Sequence, residues 1–157
     1  MIPSFKRLLL PLLVLPLLVL PLLLLTLLSS CSRGGSQIVY HFFDEGSNVL
    51  GYQFDMTDSS RTYDISFYSR IDVPLSVLDT LKGVELEILL TSPSGRLAYE
   101  TVAIPRSDFD PEGTGGYQFC KEYRKGIVPS EYGRWNMQVR VSKVKGMEGL
   151  GIIVQSN

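Results

Sequence analysis

Residues 61–72 alternate without a break: Tyr63, Ile65, Phe67, Ser69 and Ile71 fall on one side, and Thr62, Asp64, Ser66, Tyr68 and Arg70 on the other. A period of two belongs to a strand with one buried and one wet face, because successive side chains point to opposite faces. The signature recurs along the chain. Residues 84–91 set Val84, Leu86, Ile88 and Leu90 against Glu85 and Glu87. Residues 96–104 align Leu97, Tyr99, Thr101 and Ala103 on one face, and residues 134–144 set Trp135, Met137, Val139 and Val141 against Asn136, Gln138 and Arg140. Between the runs at 84–91 and 96–104, Ser92-Pro93-Ser94-Gly95 supplies turn dihedrals and predicts a hairpin. Further strands are expected over 38–43, 48–54, 115–123 and 150–155. Only 75–81 has helical spacing, through Leu75, Leu78 and Leu81, with Gly83 as a stop. Eight short strands separated by turns predict an all-β, two-sheet β-sandwich with one short helix. A jelly-roll order ranks first, an immunoglobulin-like order second and a small barrel third.

Ahead of this domain lies a segment of different composition. In residues 8–28, 17 of 21 positions are Leu or Val, interrupted by Pro11, Pro16, Pro21 and Thr26, and preceded by Lys6 and Arg7. A basic start, an apolar run and small residues before a cut define a secretory signal. Leu28-Ser29-Ser30-Cys31 has the form of a bacterial lipobox, with Leu28, Ser29 and Ser30 as the signal-peptidase recognition residues. The pattern resembles substrates of the lipoprotein signal peptidase. That resemblance implies a diacylglycerol on the Cys31 thiol, cleavage before Cys31 and acylation of the new amine. Two or three acyl chains hold a protein firmly at a membrane, whereas one holds it marginally. The competing reading is an uncleaved membrane helix, since about 20 apolar residues span a bilayer; three prolines oppose a straight one. The expected organisation is a signal peptide over 1–30, an anchor and flexible tether over 31–37, and a β-sandwich over 38–157. No acidic residue follows Cys31 before Asp44. Bacteroidota lipoproteins displayed on the cell exterior tend to carry acids there, so an outer-membrane protein facing the periplasm is expected.

Without residues 1–30, the chain holds 13 basic and 16 acidic residues and 15 aromatics. This composition argues against a nucleic-acid binder, a multi-pass membrane protein and a disordered tail. Chemistry is sparse. His41 is the single histidine and lies in a strand, which disfavours a histidine triad. No Cys/His set has zinc spacing, and no glycine-rich phosphate loop joins a strand to a helix. Asp108, Asp110 and Glu112 alternate before Gly113, but the remaining ligands of a calcium loop are missing, so a solvated loop is expected. Asp55, Asp58 and Asp64 read as polar turns; a glycosidase pair among the carboxylates is a minor alternative. With Cys31 lipidated, Cys120 lacks a disulfide partner and reads as a half-buried strand residue. The expectation is therefore no catalytic residue, no metal and no cofactor.

The stretch 123–135, ending Tyr132-Gly133-Arg134-Trp135, is the most distinctive, and Gly149-Leu150-Gly151-Ile152 closes the chain's strand pattern. With Asp58, Thr62-Tyr63-Asp64-Ile65 and Arg70 earlier, this order resembles the GldH-type gliding-motility lipoproteins of Bacteroidota. The resemblance implies a small all-β envelope lipoprotein with no catalytic positions to carry over. The segment read as a loop before Trp135 offers a candidate interaction surface. There Arg124 and Lys125 flank Ile127, Val128 and Pro129, with Tyr132 and Trp135 beyond, as a polar rim flanks an apolar interface core. The plainer alternative buries Ile127 and Val128 in a connection between sheets. The first functional expectation is a lipid-anchored, non-enzymatic accessory or structural subunit of a cell-envelope assembly, of the gliding or secretion type, with an envelope protein as partner. The second is a glycan- or ligand-binding module using Tyr68, Tyr132 or Trp135 as stacking platforms.

Overall fold

The computed structural model describes residues 35–113 and 116–157. The leader, the lipobox residues Leu28, Ser29 and Ser30, Cys31 and residues 32–34 of the expected tether lie outside the described residues. Among those described, the chain forms β1 (Ser36–Phe42), β2 (Val49–Met56), β3 (Tyr63–Ile71), α1 (Leu75–Leu78), β4 (Gly83–Thr91) and β5 (Leu97–Pro105). A 3-10 turn at Arg106–Asp108 follows, then β6 (Asp110–Pro111), β7 (Tyr117–Ile127), β8 (Gly133–Val141) and β9 (Gly149–Ser156). All eight expected strands are present; β6 is a two-residue addition. Strand β1 starts at Ser36, two residues before the expected boundary. Ser156 N–H donates to the Gly35 carbonyl at 2.9 Å, and Ser36 and Gln37 pair with Gln155 and Val154.

The strands form two antiparallel sheets, ordered β1-β9-β3-β7-β6 and β2-β8-β4-β5. With β6 set aside, the partners β1–β9, β2–β8, β3–β7 and β4–β5 nest inside one another, and successive pairs alternate strictly between the sheets, β1–β9 and β3–β7 in one and β2–β8 and β4–β5 in the other. The chain is thus one long hairpin rolled into a sandwich, the jelly-roll order. The inward faces meet in one core. Phe67, Ile71, Leu86, Ile104, Met137, Val139, Leu150 and Ile152 have no measurable exposure. A buried hydrogen bond crosses it: Tyr52 of β2 donates its hydroxyl to the Leu150 carbonyl of β9 at 2.7 Å. Burial pushes the Tyr52 hydroxyl far above the usual phenol range.

The alternating faces fall where the sequence places them, with one informative case. Leu97, Tyr99, Thr101 and Ala103 share the solvent face of β5, while Val102 and Ile104 turn inward. The hairpin turn decides this. Gly95 N–H donates to the Ser92 carbonyl at 2.9 Å and Gly95 takes φ 87°, the left-handed residue that completes a three-residue loop. Thr91 then pairs with Leu97, Leu89 with Tyr99 and Leu86 with Val102. A shift of one residue would exchange the faces.

Two glycines separate backbone tolerance from packing. A Cβ on Gly149 would stand 2.3 Å from the His41 carbonyl oxygen and 2.8 Å from the Tyr40 ring, whereas one on Gly51 meets nothing within 4 Å. Gly149→Ala is expected to destabilise the domain by about 1–3 kcal/mol through overpacking. Gly51→Ala is expected to be neutral or to stabilise by up to about 1 kcal/mol, since Ala loses less backbone freedom in a strand. Urea unfolding midpoints of the two variants check this contrast.

Candidate functional site

The outer face of the five-stranded sheet is built around missing side chains. On β9, Leu150 and Ile152 point into the core, so Gly149 and Gly151 hold the outward positions between them. Register places Tyr40, Gly151, Tyr68 and Cys120 in one row across β1, β9, β3 and β7. Beside it, Phe42 lies opposite Gly149, and Arg70, Gln118 and Asp110 line up across β3, β7 and β6. The Tyr68 ring lies over Gly151, where a Cβ would come within 2.2 Å of it. The Tyr40 ring centroid is 5.6 Å from Tyr68 and 5.2 Å from Phe42, the latter edge to face. Burial raises the Tyr68 hydroxyl above the ordinary phenol value, and Tyr40 adds to the shift.

These groups line an open cleft of about 770 Å³. Its floor is aromatic, and its rim carries Arg70, Asp72, Asp110, Glu112, Gln118 and Glu148. Arg70 Nε stands 3.1 Å from a Glu112 carboxylate oxygen. Phe42 exposes 67% of its surface and Ile38, two outward positions back along β1, exposes 62%. Such a surface stacks on flat or apolar groups and fixes their orientation through polar contacts at the edge. Cys120 is exposed here rather than half-buried, because it shares the outward parity of Gln118 and Glu122 on β7.

A second surface lies on the outer face of the four-stranded sheet. Gly51, Gln138, Leu89 and Tyr99 form one row, and Val49, Arg140, Glu87 and Thr101 the next. Tyr99 exposes 74% of its surface, and Arg140 pairs with Glu87 at 3.1 Å. The trough between the rows has a volume of about 370 Å³.

The surface expected over 124–135 is divided by the fold. Strand β7 runs to Ile127, so residues 124–127 form strand and not loop. Arg124 is held by Glu100 and stacks over the Tyr123 ring, its guanidinium carbon 4.8 Å from the centroid. Lys125 faces Glu122 at 3.3 Å. Ile127 and Trp135 pack against the core, the Trp135 indole N–H donating to the Glu131 carbonyl at 3.1 Å, and Pro129 is buried. Val128 and Tyr132 remain exposed, at 66% and 43%, without Ile127 or Pro129 beside them to form an apolar tip. Tyr68, weighed as a lone platform, belongs to the cleft instead.

The acidic loops disperse. Lys121 holds Asp108 at 2.7 Å, Phe109 between the acids is buried on Phe119, and Asp110 sits in β6. Asp58 caps a turn, accepting from the Ser60 hydroxyl at 2.6 Å and from Arg61 at 3.0 Å. Asp64 accepts from Gly126 N–H at 2.6 Å, and Asp55 faces Arg134 at 3.2 Å. Among the described residues no group of three or more His, Cys, Asp or Glu gathers as a metal site. The His41 ring is exposed, 5.1 Å from the Tyr52 ring.

Comparison with protein families and with curated proteins finds no match. Among solved structures, the chain is similar to dimeric latent PorU from Porphyromonas gingivalis, at 11% identity and a TM-score of 0.38, over 79% of this chain and 13% of that one. It is similar to the infectious bursal disease virus VP2 subviral particle at 9% identity and a TM-score of 0.41, over 80% of this chain and 33% of that one. A third similarity is to TmCBM61 in complex with beta-1,4-galactotriose, at 13% identity and a TM-score of 0.34, over 80% of this chain and 88% of that one. The chain thus spans well under two thirds of the first two.

One charged cluster near the expected surface has a structural task. Glu131, between β7 and β8, accepts from Ser94 through its hydroxyl at 2.8 Å and its N–H at 2.9 Å, and pairs with Arg96. It pins the β4–β5 turn to the β7–β8 connection. The Ser94 hydroxyl leads the contacts that hold the Glu131 carboxyl down at about 2. A carboxylate depressed in the folded state contributes stability above its unfolded value of 4.5 and loses it as pH falls towards about 2. Glu131→Gln is expected to unfold at a lower temperature than the parent at neutral pH. The gap is expected to close between pH 4.5 and 2 in paired melting curves.

Proposed function

We propose that this chain is a lipid-anchored, non-enzymatic envelope protein of the GldH type or a near relative, serving as an accessory or structural subunit. In this reading Cys31 carries the acyl anchor, at an outer membrane and facing the periplasm. The β-sandwich docks an envelope protein through the five-stranded sheet. The supporting observation is the cleft: an aromatic floor of Tyr40, Phe42 and Tyr68, with Phe42 largely exposed, inside a charged rim. Buried aromatic anchors surrounded by polar groups are the usual energetic centre of a protein interface.

A second reading follows from a different observation. Tyr99 presents a bare ring beside Gln138 and the Arg140–Glu87 pair. An aromatic face next to planar hydrogen-bonding groups suits a sugar ring, whose apolar face stacks while its hydroxyls bond laterally.

Cross-linking the tagged chain in intact cells, with mass spectrometry of the recovered material, separates the two. The subunit reading expects one envelope protein at near-equal amount, lost in Phe42→Glu and in Cys31→Ala and retained in Tyr99→Ala. Recovery that ignores Phe42→Glu would remove the cleft from the account. The glycan reading expects oligosaccharide to retard the protein in affinity electrophoresis, and expects Tyr99→Ala to abolish the retardation by weakening binding about tenfold or more.

A further inference from the structure

The two sheets have four edges, and three are blunted. Strand β6 is two residues long and ends in Pro111. Strand β5 ends in Pro105 and carries Glu100, which accepts from the Tyr123 hydroxyl at 3.0 Å. Strand β2 is met at Asp55 by the Gln37 side-chain amide, which accepts from the Asp55 N–H at 2.9 Å and donates to its carbonyl at 2.8 Å. Short strands, proline, inward charges and covering groups are the means by which natural sheets prevent edge pairing.

Strand β1 has none of them. Its seven residues, Ser36-Gln37-Ile38-Val39-Tyr40-His41-Phe42, include no Lys, Arg, Asp, Glu or Pro, and its register with β9 runs without a bulge. The open side can be assigned. Gly35 accepts from Ser156 N–H, and Phe43 N–H donates to the Glu148 carbonyl at 2.8 Å. Hydrogen-bonded pairs recur at every second residue of an antiparallel ladder, so the odd-numbered residues of β1 face β9. Ser36, Ile38, Tyr40 and Phe42 therefore turn their backbone N–H and C=O groups to the open edge. Among the described residues no donor or acceptor meets them.

We propose that this edge pairs antiparallel with β1 of a second copy of the chain, centred on Val39. A second copy is the fitting occupant because the strand is self-complementary: with no charge along it, no like charges oppose one another. Centring on Val39 places Ile38 opposite Tyr40 of the second copy, a β-branched–aromatic pair that stabilises adjacent strands. Pairing continues the sheet through a two-fold axis. It leaves the cleft open, because the new strand lies beside β1 and not over it, and it joins Ile38 and Phe42 of both copies into one apolar stripe. A single strand pair buries less area than a standard interface, so the dimer forms in the micromolar range and not below it.

Sedimentation velocity of the detergent-extracted full chain, over a micromolar concentration series, tests the proposal. The parent is expected to reach a dimer. Ile38→Pro is the diagnostic variant: the Ile38 N–H faces the open edge, so proline removes a donor from the new pairing and none from the β1–β9 ladder. Ile38→Lys, at an exposed position, places like charge on both sides of the seam. Both are expected to weaken dimerisation about tenfold or more while melting within a few degrees of the parent. A parent that stays monomeric throughout the series overturns the proposal, as does a dimer that persists in both variants. Should Ile38→Pro fail to fold, Ile38→Lys decides alone. The result is independent of the cleft, since Phe42→Glu is read by recovery of a different protein.

Discussion

Strand β9 is enclosed on every side over Gly149–Ile152, and the rest of the domain is arranged around it. Its inward residues Leu150, Ile152 and Val154 lie in the core with almost no exposure. Its outward face is covered by the rings of Tyr40 and Tyr68, which close in because Gly149 and Gly151 have no side chains. Its edges are paired with β1 and β3. Two of its carbonyls take buried hydroxyls, from Tyr52 at Leu150 and from Ser69 at Gly149. β9 is also the last strand of the rolled hairpin. The five-stranded sheet has no continuous centre until it arrives, so the domain depends on contacts between residues about a hundred positions apart. Such topologies fold slowly compared with those built from local contacts.

The margins of the sandwich are closed by side chains. On one side, the Gln37 amide imitates a peptide group and holds β1 of one sheet to β2 of the other. On the other, Glu100 of β5 takes the Tyr123 hydroxyl and the Arg124 guanidinium of β7. Burial, then the adjacent Glu100 carboxylate, pushes the Tyr123 hydroxyl far above the phenol range. Most other ion pairs of the domain lie at least partly in solvent, where each adds little stability. The core and the ladders carry the fold, and the charged pairs set which edges meet.

The fold was legible because alternation survives without knowledge of neighbours. Tyr63 to Ile71 and Val84 to Ile88 declare a strand and its buried face at once, and strand number and spacing point to a two-sheet sandwich; they leave its order open among jelly-roll, immunoglobulin-like and barrel arrangements, and pairing between distant strands decides it. Strand β5 shows the limit: Leu97, Tyr99, Thr101 and Ala103 look as suited to a core as Val102 and Ile104, and only the three-residue turn at Gly95 decides between them. The segment before Trp135 shows another. Arg124, Ile127 and Pro129 are neighbours in sequence, yet one is tied to β5, one packs on the core and one is buried. The cleft was illegible for the converse reason, since Tyr40, Gly151, Tyr68 and Cys120 become a row only through pairing across four strands. Its one local trace is the Gly-Leu-Gly-Ile alternation, which strips two outward positions of a strand that is apolar as far as Val154.

The pairing of Gly35 and Ser36 with the end of β9 has a mechanical consequence. A force drawn on residue 35 along the strand axis loads seven β1–β9 residue pairs in shear, so their hydrogen bonds share the tension and must yield together. The same force applied across the strand would peel them singly from one end. The domain therefore resists traction in one direction far better than in the other, and a tether pulling lengthwise on β1 meets the stiffer response.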